Sequence, residues 1–159
     1  MPHDDHAPTT YRWTRRAFLA STGIVSIASA LSPLASATPE DADQAIHDIF
    51  GDRPINKGKV TVTLPPIAEN GNSVPVGITV DSPMTDESFV EQIVVLSPRN
   101  PIATIARFHL GPHTGRAEIS TRVRMAGTQT LRVVAEMNDG TLWSGTGSTY
   151  VTLAACIIG

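Results

Sequence analysis

The chain has 159 residues, of which 12 are basic and 15 acidic, and its formal net charge is −3. A mildly acidic balance argues against nucleic-acid binding, which needs a concentrated basic footprint. A single cysteine excludes an internal disulfide.

The first forty residues read as an address. "MPHDDHAPTTYRW" leads into "TRRAFLAS", where Arg15 and Arg16 precede Phe18 and Leu19, and a moderately apolar run closes on Ala35-Ser36-Ala37. Small residues at that spacing suit a signal peptidase, and paired arginines before a weakly apolar core resemble a twin-arginine export signal. As a membrane span the run is too broken by Ser, Thr, Gly and Pro33, and it falls short of the ~20 apolar residues required. Residues 1–37 are therefore read as a cleaved signal, with a mature chain that starts at Thr38 and works in the periplasm. That chain, of about 120 residues, suffices for one domain with one core. Loss of the leader removes three arginines and two aspartates, leaving the rest slightly more acidic.

Residues 38–57 carry a helix and a linker. In "PEDADQAIHDIFG" (39–51), acidic residues crowd the first turn, where the helix dipole favours them. Ala42, Ala45, Ile46, Ile49 and Phe50 recur at helical spacing, and Gly51 suits the end. The link "DRPINKGK" is polar.

Over residues 58–153 the period changes to two. Val60, Val62 and Leu64 share one face of "VTVTL"; Val74, Val76, Ile78 and Val80 share one face of "VPVGITV". In "EISTRVRM", Ile119, Val123 and Met125 alternate with Ser120, Arg122 and Arg124. In "TLRVVAEM", Leu131, Val133 and Ala135 oppose Arg132 and Glu136. Such alternation marks half-buried antiparallel strands. "QIVVLS" and "ATIARFHL" are less regular but rich in strand formers. Turn chemistry separates the runs at 69–72 (ENGN), 97–101 (SPRNP), 111–115 (GPHTG), 126–129 (AGTQ) and 138–140 (NDG), with Asn-Gly and Asp-Gly as hairpin signals. With "TLWSGTGSTYVTL" counted as one or two strands, about seven or eight short strands predict a β-sandwich.

Few side chains in this body suggest chemistry. His109 and His113 are four apart, but on a strand running into a Gly-Pro loop that spacing does not put them on one face, and no third ligand is evident. His47 lies on the helix. Asp139 and Glu136 straddle a hairpin whose turn explains Asp139. "GTGS" at 145–148 is too short for a phosphate cradle, and Trp143 and Tyr150 suit a core or an interface. Cys156 is different. A thiol close to the chain terminus, in an oxidising compartment, is a liability unless it is used. Six extended residues after the last strand, 154–159, would reach about 20 Å, which is the geometry of a carrier arm.

Over nearly its whole length the chain resembles the SoxY family of sulfur-oxidation carrier proteins. The resemblance lies in the twin-arginine leader, a helix ending "IFG", and "KVTVTLPPIAENGNSVPVGITVDSPMT". It continues in "FHLGPHTGRAEISTRVRMAGTQTLRVVAEMNDGT" and in a last strand leading to a C-terminal cysteine. It implies a mainly β fold, an immunoglobulin-like antiparallel β-sandwich with a short N-terminal helix, and a small β-protein partner of the SoxZ type. It further implies a carrier with no active site and no cofactor of its own, bearing thiosulfate-derived sulfur covalently on Cys156. A c-type cytochrome pair would join thiosulfate to that sulfur, and a dimanganese hydrolase would release sulfate. The tail departs from the family pattern Gly-Gly-Cys-Gly-Gly: here it reads Ala154-Ala155-Cys156-Ile157-Ile158-Gly159. Two isoleucines add bulk and stiffness. "YVTLAACII" can also extend the last strand, with Val151, Leu153, Ala155 and Ile157 on one face and Cys156 on the other. Two further readings stand beside the carrier: a structural or binding subunit that keeps the sandwich without using the thiol, and a metal-binding module built on His109 and His113.

Overall fold

The computed structural model describes residues 37–155. The leader motif Arg15, Arg16, Phe18 and Leu19 lies outside the described residues, and so does Cys156. No helix among the described residues is long and apolar enough to cross a membrane.

Helix α1 (Pro39–Phe50) begins at Thr38 in a reciprocal cap. The Asp41 amide donates to Thr38 Oγ1 at 3.2 Å, and the Thr38 amide donates to Asp41 Oδ2 at 2.7 Å. Gly51, at φ 68°, ends it, its backbone N–H donating to the His47 carbonyl. The predicted apolar stripe is the buried one: Ala42, Ile46 and Phe50 are buried, with Ala45 and Ile49 half-buried beside them.

Nine strands are described: β1 (Ile55–Lys57), β2 (Val60–Thr63), β3 (Ile67–Asn70), β4 (Val74–Val80), β5 (Val90–Leu96), β6 (Thr104–His109), β7 (Glu118–Val123), β8 (Gln129–Met137) and β9 (Leu142–Leu153). The first sheet runs β1-β9-β8-β5-β6, with β3 also on β9; the second runs β2-β4-β7. The sheets face each other over one core, in which Ile78, Ile93, Met125, Leu131 and Val133 are fully buried. The immunoglobulin-like sandwich is thus the observed architecture.

Three local readings need correction. The polar link holds a strand, β1, and "ENGN" holds the end of another, β3; both pair parallel to β9 rather than antiparallel. The Asn-Gly turn therefore closes no hairpin. It carries the chain from the first sheet to the second, and Gly71 is not at positive φ. The Asp-Gly turn does close the β8–β9 hairpin, with Gly140 at φ 80°. The irregularity of "QIVVL" also has a cause. Ile93 and Val95 face the sandwich core, whereas Val94 and Leu96 meet α1 on the opposite face. The centre of the first sheet is covered on both sides, so β5 is apolar at four consecutive positions, Ile93, Val94, Val95 and Leu96.

"GTGS" has a steric role instead of a ligand. A Cβ on Gly145 would overlap the Val60 carbonyl, and one on Gly147 would sit 2.8 Å from Val62 Cγ1. These glycines let β9 abut β2, which closes that edge of the sandwich.

Candidate functional site

The site is the last described stretch of the chain, the residues that lead up to Cys156. Strand β9 ends at Leu153, but the backbone stays held for two more residues. The Leu153 carbonyl accepts from the Gly71 amide at 2.7 Å, and the Ala155 amide donates to the Met125 carbonyl at 3.1 Å. The Met125 amide in turn donates to the Gly71 carbonyl at 2.8 Å, so one turn of backbone ties together residues 71, 125 and 153–155. Ala155 is buried, 6% exposed. Only glycine fits at 71: a Cβ there would lie 2.5 Å from the Met125 carbonyl oxygen and 2.7 Å from the Ala155 nitrogen.

A buried polar network stiffens this socket. Ser97 Oγ donates to Gln129 Oε1 at 2.6 Å, and the Asn100 amide donates to Ser97 Oγ at 3.3 Å. Asn100 Nδ2 donates to the Arg124 carbonyl at 2.8 Å, while Asn100 Oδ1 accepts from the Ala126 amide at 3.0 Å. Asn100 thus bonds the chain on either side of Met125, the residue that anchors Ala155. Thr128 Oγ1 accepts from the Val151 amide at 3.0 Å and so joins the same turn to β9. Every buried side-chain polar atom among the described residues has a partner, so this end of the fold is rigid by the usual rule for satisfied networks. In the sequence "SPRNP" and "AGTQ" read only as turns. That their side chains Ser97, Asn100 and Gln129 are buried is set by contacts far apart in sequence, which turn chemistry does not reveal.

The anchor moves the expected arm. The fold holds the chain through Ala155, the residue before Cys156, and not only to the end of β9. Nor does the strand run on: Thr152, Leu153 and Ala154 are all exposed, so the alternation that would have carried it through Ala155 breaks at Leu153.

The other candidate residues are scattered. His109 lies on β6 and His113 in a short 3-10 turn (Pro112–Thr114), both exposed, and no group of three His, Cys, Asp or Glu able to hold a metal ion occurs among the described residues. His47 Nε2 lies 3.1 Å from the Asp52 carboxylate on the helix surface. Glu136 pairs with Arg53 at 2.6 Å and accepts from Gln92 at 2.6 Å, a link between β8, β5 and the segment after α1. Asp139 accepts from the Thr141 hydroxyl at 2.7 Å and its amide at 2.8 Å. Those bonds, the hydroxyl first, hold its carboxyl below the ordinary carboxylate range. Trp143 packs against the core, with Lys59 Nζ 4.7 Å from its ring centre. Tyr150 is 58% exposed beside its cross-strand neighbour Ile67.

The family described as "Sulfur oxidation protein SoxY" matches residues 46–156, a span that ends on Cys156. The solved sulfur carrier protein SoxY of Chlorobium limicola f thiosulfatophilum is 32% identical, over 73% of this chain and 100% of that one, with a TM-score of 0.61. A superoxide reductase (neelaredoxin) of Ignicoccus hospitalis is 16% identical over 72% of this chain and 94% of its own, with a TM-score of 0.52, a likeness of fold alone. No curated protein matches.

Proposed function

The chain belongs to the SoxY family of sulfur oxidation proteins, and from that premise we propose that it is a sulfur carrier whose cargo is bonded covalently to Cys156. One observation carries the reading: the fold is built to hold the chain up to Ala155, and the chain's one cysteine follows directly. A rigid socket next to a lone thiol is useful if other proteins must find that thiol in a constant place.

The chemistry asks little of the carrier. Cys156 loses its thiol proton, and thiosulfate adds through its outer sulfur to form a new S–S bond. Two electrons leave to a partner cytochrome of the c type, and the product is a cysteine S-thiosulfonate. Hydrolysis by a dimanganese partner then breaks the bond between the sulfane sulfur and the sulfonate, giving sulfate and a cysteine persulfide. The carrier contributes the nucleophile and its presentation; the partners contribute oxidant and metal. A SoxZ-like β-protein completes the carrier, which works in the periplasm after export through the twin-arginine route.

The tail composition shapes this role. The pairs flanking Cys156 are Ala-Ala and Ile-Ile, and the first pair is already fixed at Ala155. Cys156 therefore sits one peptide, about 3.8 Å between Cα atoms, from a fixed point. The partner's catalytic mouth must come to the sandwich rim rather than receive a long arm. The alternative reading, a binding subunit that does not use its thiol, makes the opposite prediction. Replacing Cys156 with Ser abolishes thiosulfate-dependent cytochrome reduction by the reconstituted system in the carrier reading; an unchanged rate leaves only the binding subunit.

A further inference from the structure

The two long edges of the sandwich are built differently. One is closed, where the Gly145 and Gly147 notch lets β9 meet β2. On the other, β6 ends the first sheet and β7 ends the second, and the sheets part around a groove of 410 Å³. Ile105 and Ala106 of β6 and Val123 of β7 line it, with Ile102 at its mouth 72% exposed. Arg122 and Arg124 also line it, and both are exposed. The chain segment that forms this edge is rich in positive charge. Residues 99–124 hold five arginines, at 99, 107, 116, 122 and 124, against one carboxylate, Glu118, in a chain that is acidic as a whole.

We propose that the β6–β7 edge docks an acidic protein partner, which inserts an apolar side chain between the sheets and lays an extended segment along an open strand edge. Three features select that occupant. The arginine excess complements a negative surface and steers its approach. Beyond the ladders among the described residues, β6 and β7 each present one side of their backbone to an added strand. The apolar lining is recessed between the sheets, within reach of a side chain but not of a bilayer, and it contains no aromatic ring on which a nucleotide base would stack. The inference stands on charge and shape and does not rest on the carrier reading.

The test uses the full chain and two short labelled peptides, one alternating glutamate with valine, the other lysine with valine, followed by fluorescence anisotropy. The acidic peptide binds at least about tenfold more tightly than the basic one and weakens severalfold when salt rises from about 50 to about 300 mM. Arg122→Glu with Arg124→Glu weakens it about tenfold or more. Ile102→Ser, an exposed change that leaves the core intact, weakens it severalfold, while Lys57→Glu on the closed edge has no effect. Equal binding of the two peptides overturns the proposal, as does equal loss in Lys57→Glu. Stronger competition by a short single-stranded oligonucleotide or by phosphatidylglycerol vesicles than by unlabelled acidic peptide overturns it in favour of those ligands. Concentration-dependent polymerisation of the chain, abolished by the same arginine changes, would assign the edge to a second copy instead.

Discussion

At the scale of single residues, the least conspicuous side chains set the geometry of the tail. Gly71 was read as half of a hairpin signal, yet its backbone needs no positive φ; it is glycine because two carbonyls and an amide crowd its Cα. Periodicity and turn rules cannot see such crowding, which arises from residues far apart in sequence. Gly71→Ala should therefore destabilise the fold by about 1–3 kcal/mol and detach Ala155. Thermal melting and faster exchange of the Ala155 amide check both effects. Asn100→Ala removes the two bonds that brace Met125 from either side, and a third that Asn100 Oδ1 accepts from Gln129 Nε2. It should cost about 1–3 kcal/mol, because the Arg124 carbonyl and the Ala126 amide lose their partner. Cys156, singled out in the sequence by its position, lies outside the described residues, so its role rests on the proposal.

At the scale of elements, alternation located β2, β4, β7 and β8, because one face of each meets a common core. It failed where a strand is too short for a period to appear, as in β1 and β3, which pair parallel with β9. It was blurred in β5, where α1 covers the second face. That cover is testable: Ile46→Ala empties a buried position between α1 and Val94, Leu96 and Val134. A loss of about 2–5 kcal/mol is expected, read from chemical denaturation; a change within experimental error would mean that α1 is an appendage. The β8–β9 hairpin carries a pH signature. The Asp139 carboxyl is held below its ordinary value by Thr141, so its contribution is present above the unfolded pKa and is lost as pH falls through the lower folded one. The Thr141 amide resonance should titrate with a midpoint below that of an ordinary aspartate, and a midpoint at or above the ordinary one contradicts the bond.

At the scale of the whole molecule, a closed edge, an open edge and a braced exit divide the labour. The closed edge and α1 stabilise the sheets, the open edge is available to another protein, and the braced exit fixes where the last residues begin. The fold class was readable from sequence because strand period and turn chemistry report local burial. The socket was not, because it is made of contacts between residues 71, 97–100, 124–129 and 153–155. Sulfur held by Cys156 is most directly tested by the intact mass and C-terminal peptide mass of the protein taken from cells oxidising thiosulfate. A population with added sulfane sulfur or thiosulfonate on Cys156, removed by a thiol reductant, is the predicted result. Unmodified Cys156 throughout, in cells that are consuming thiosulfate, would contradict it.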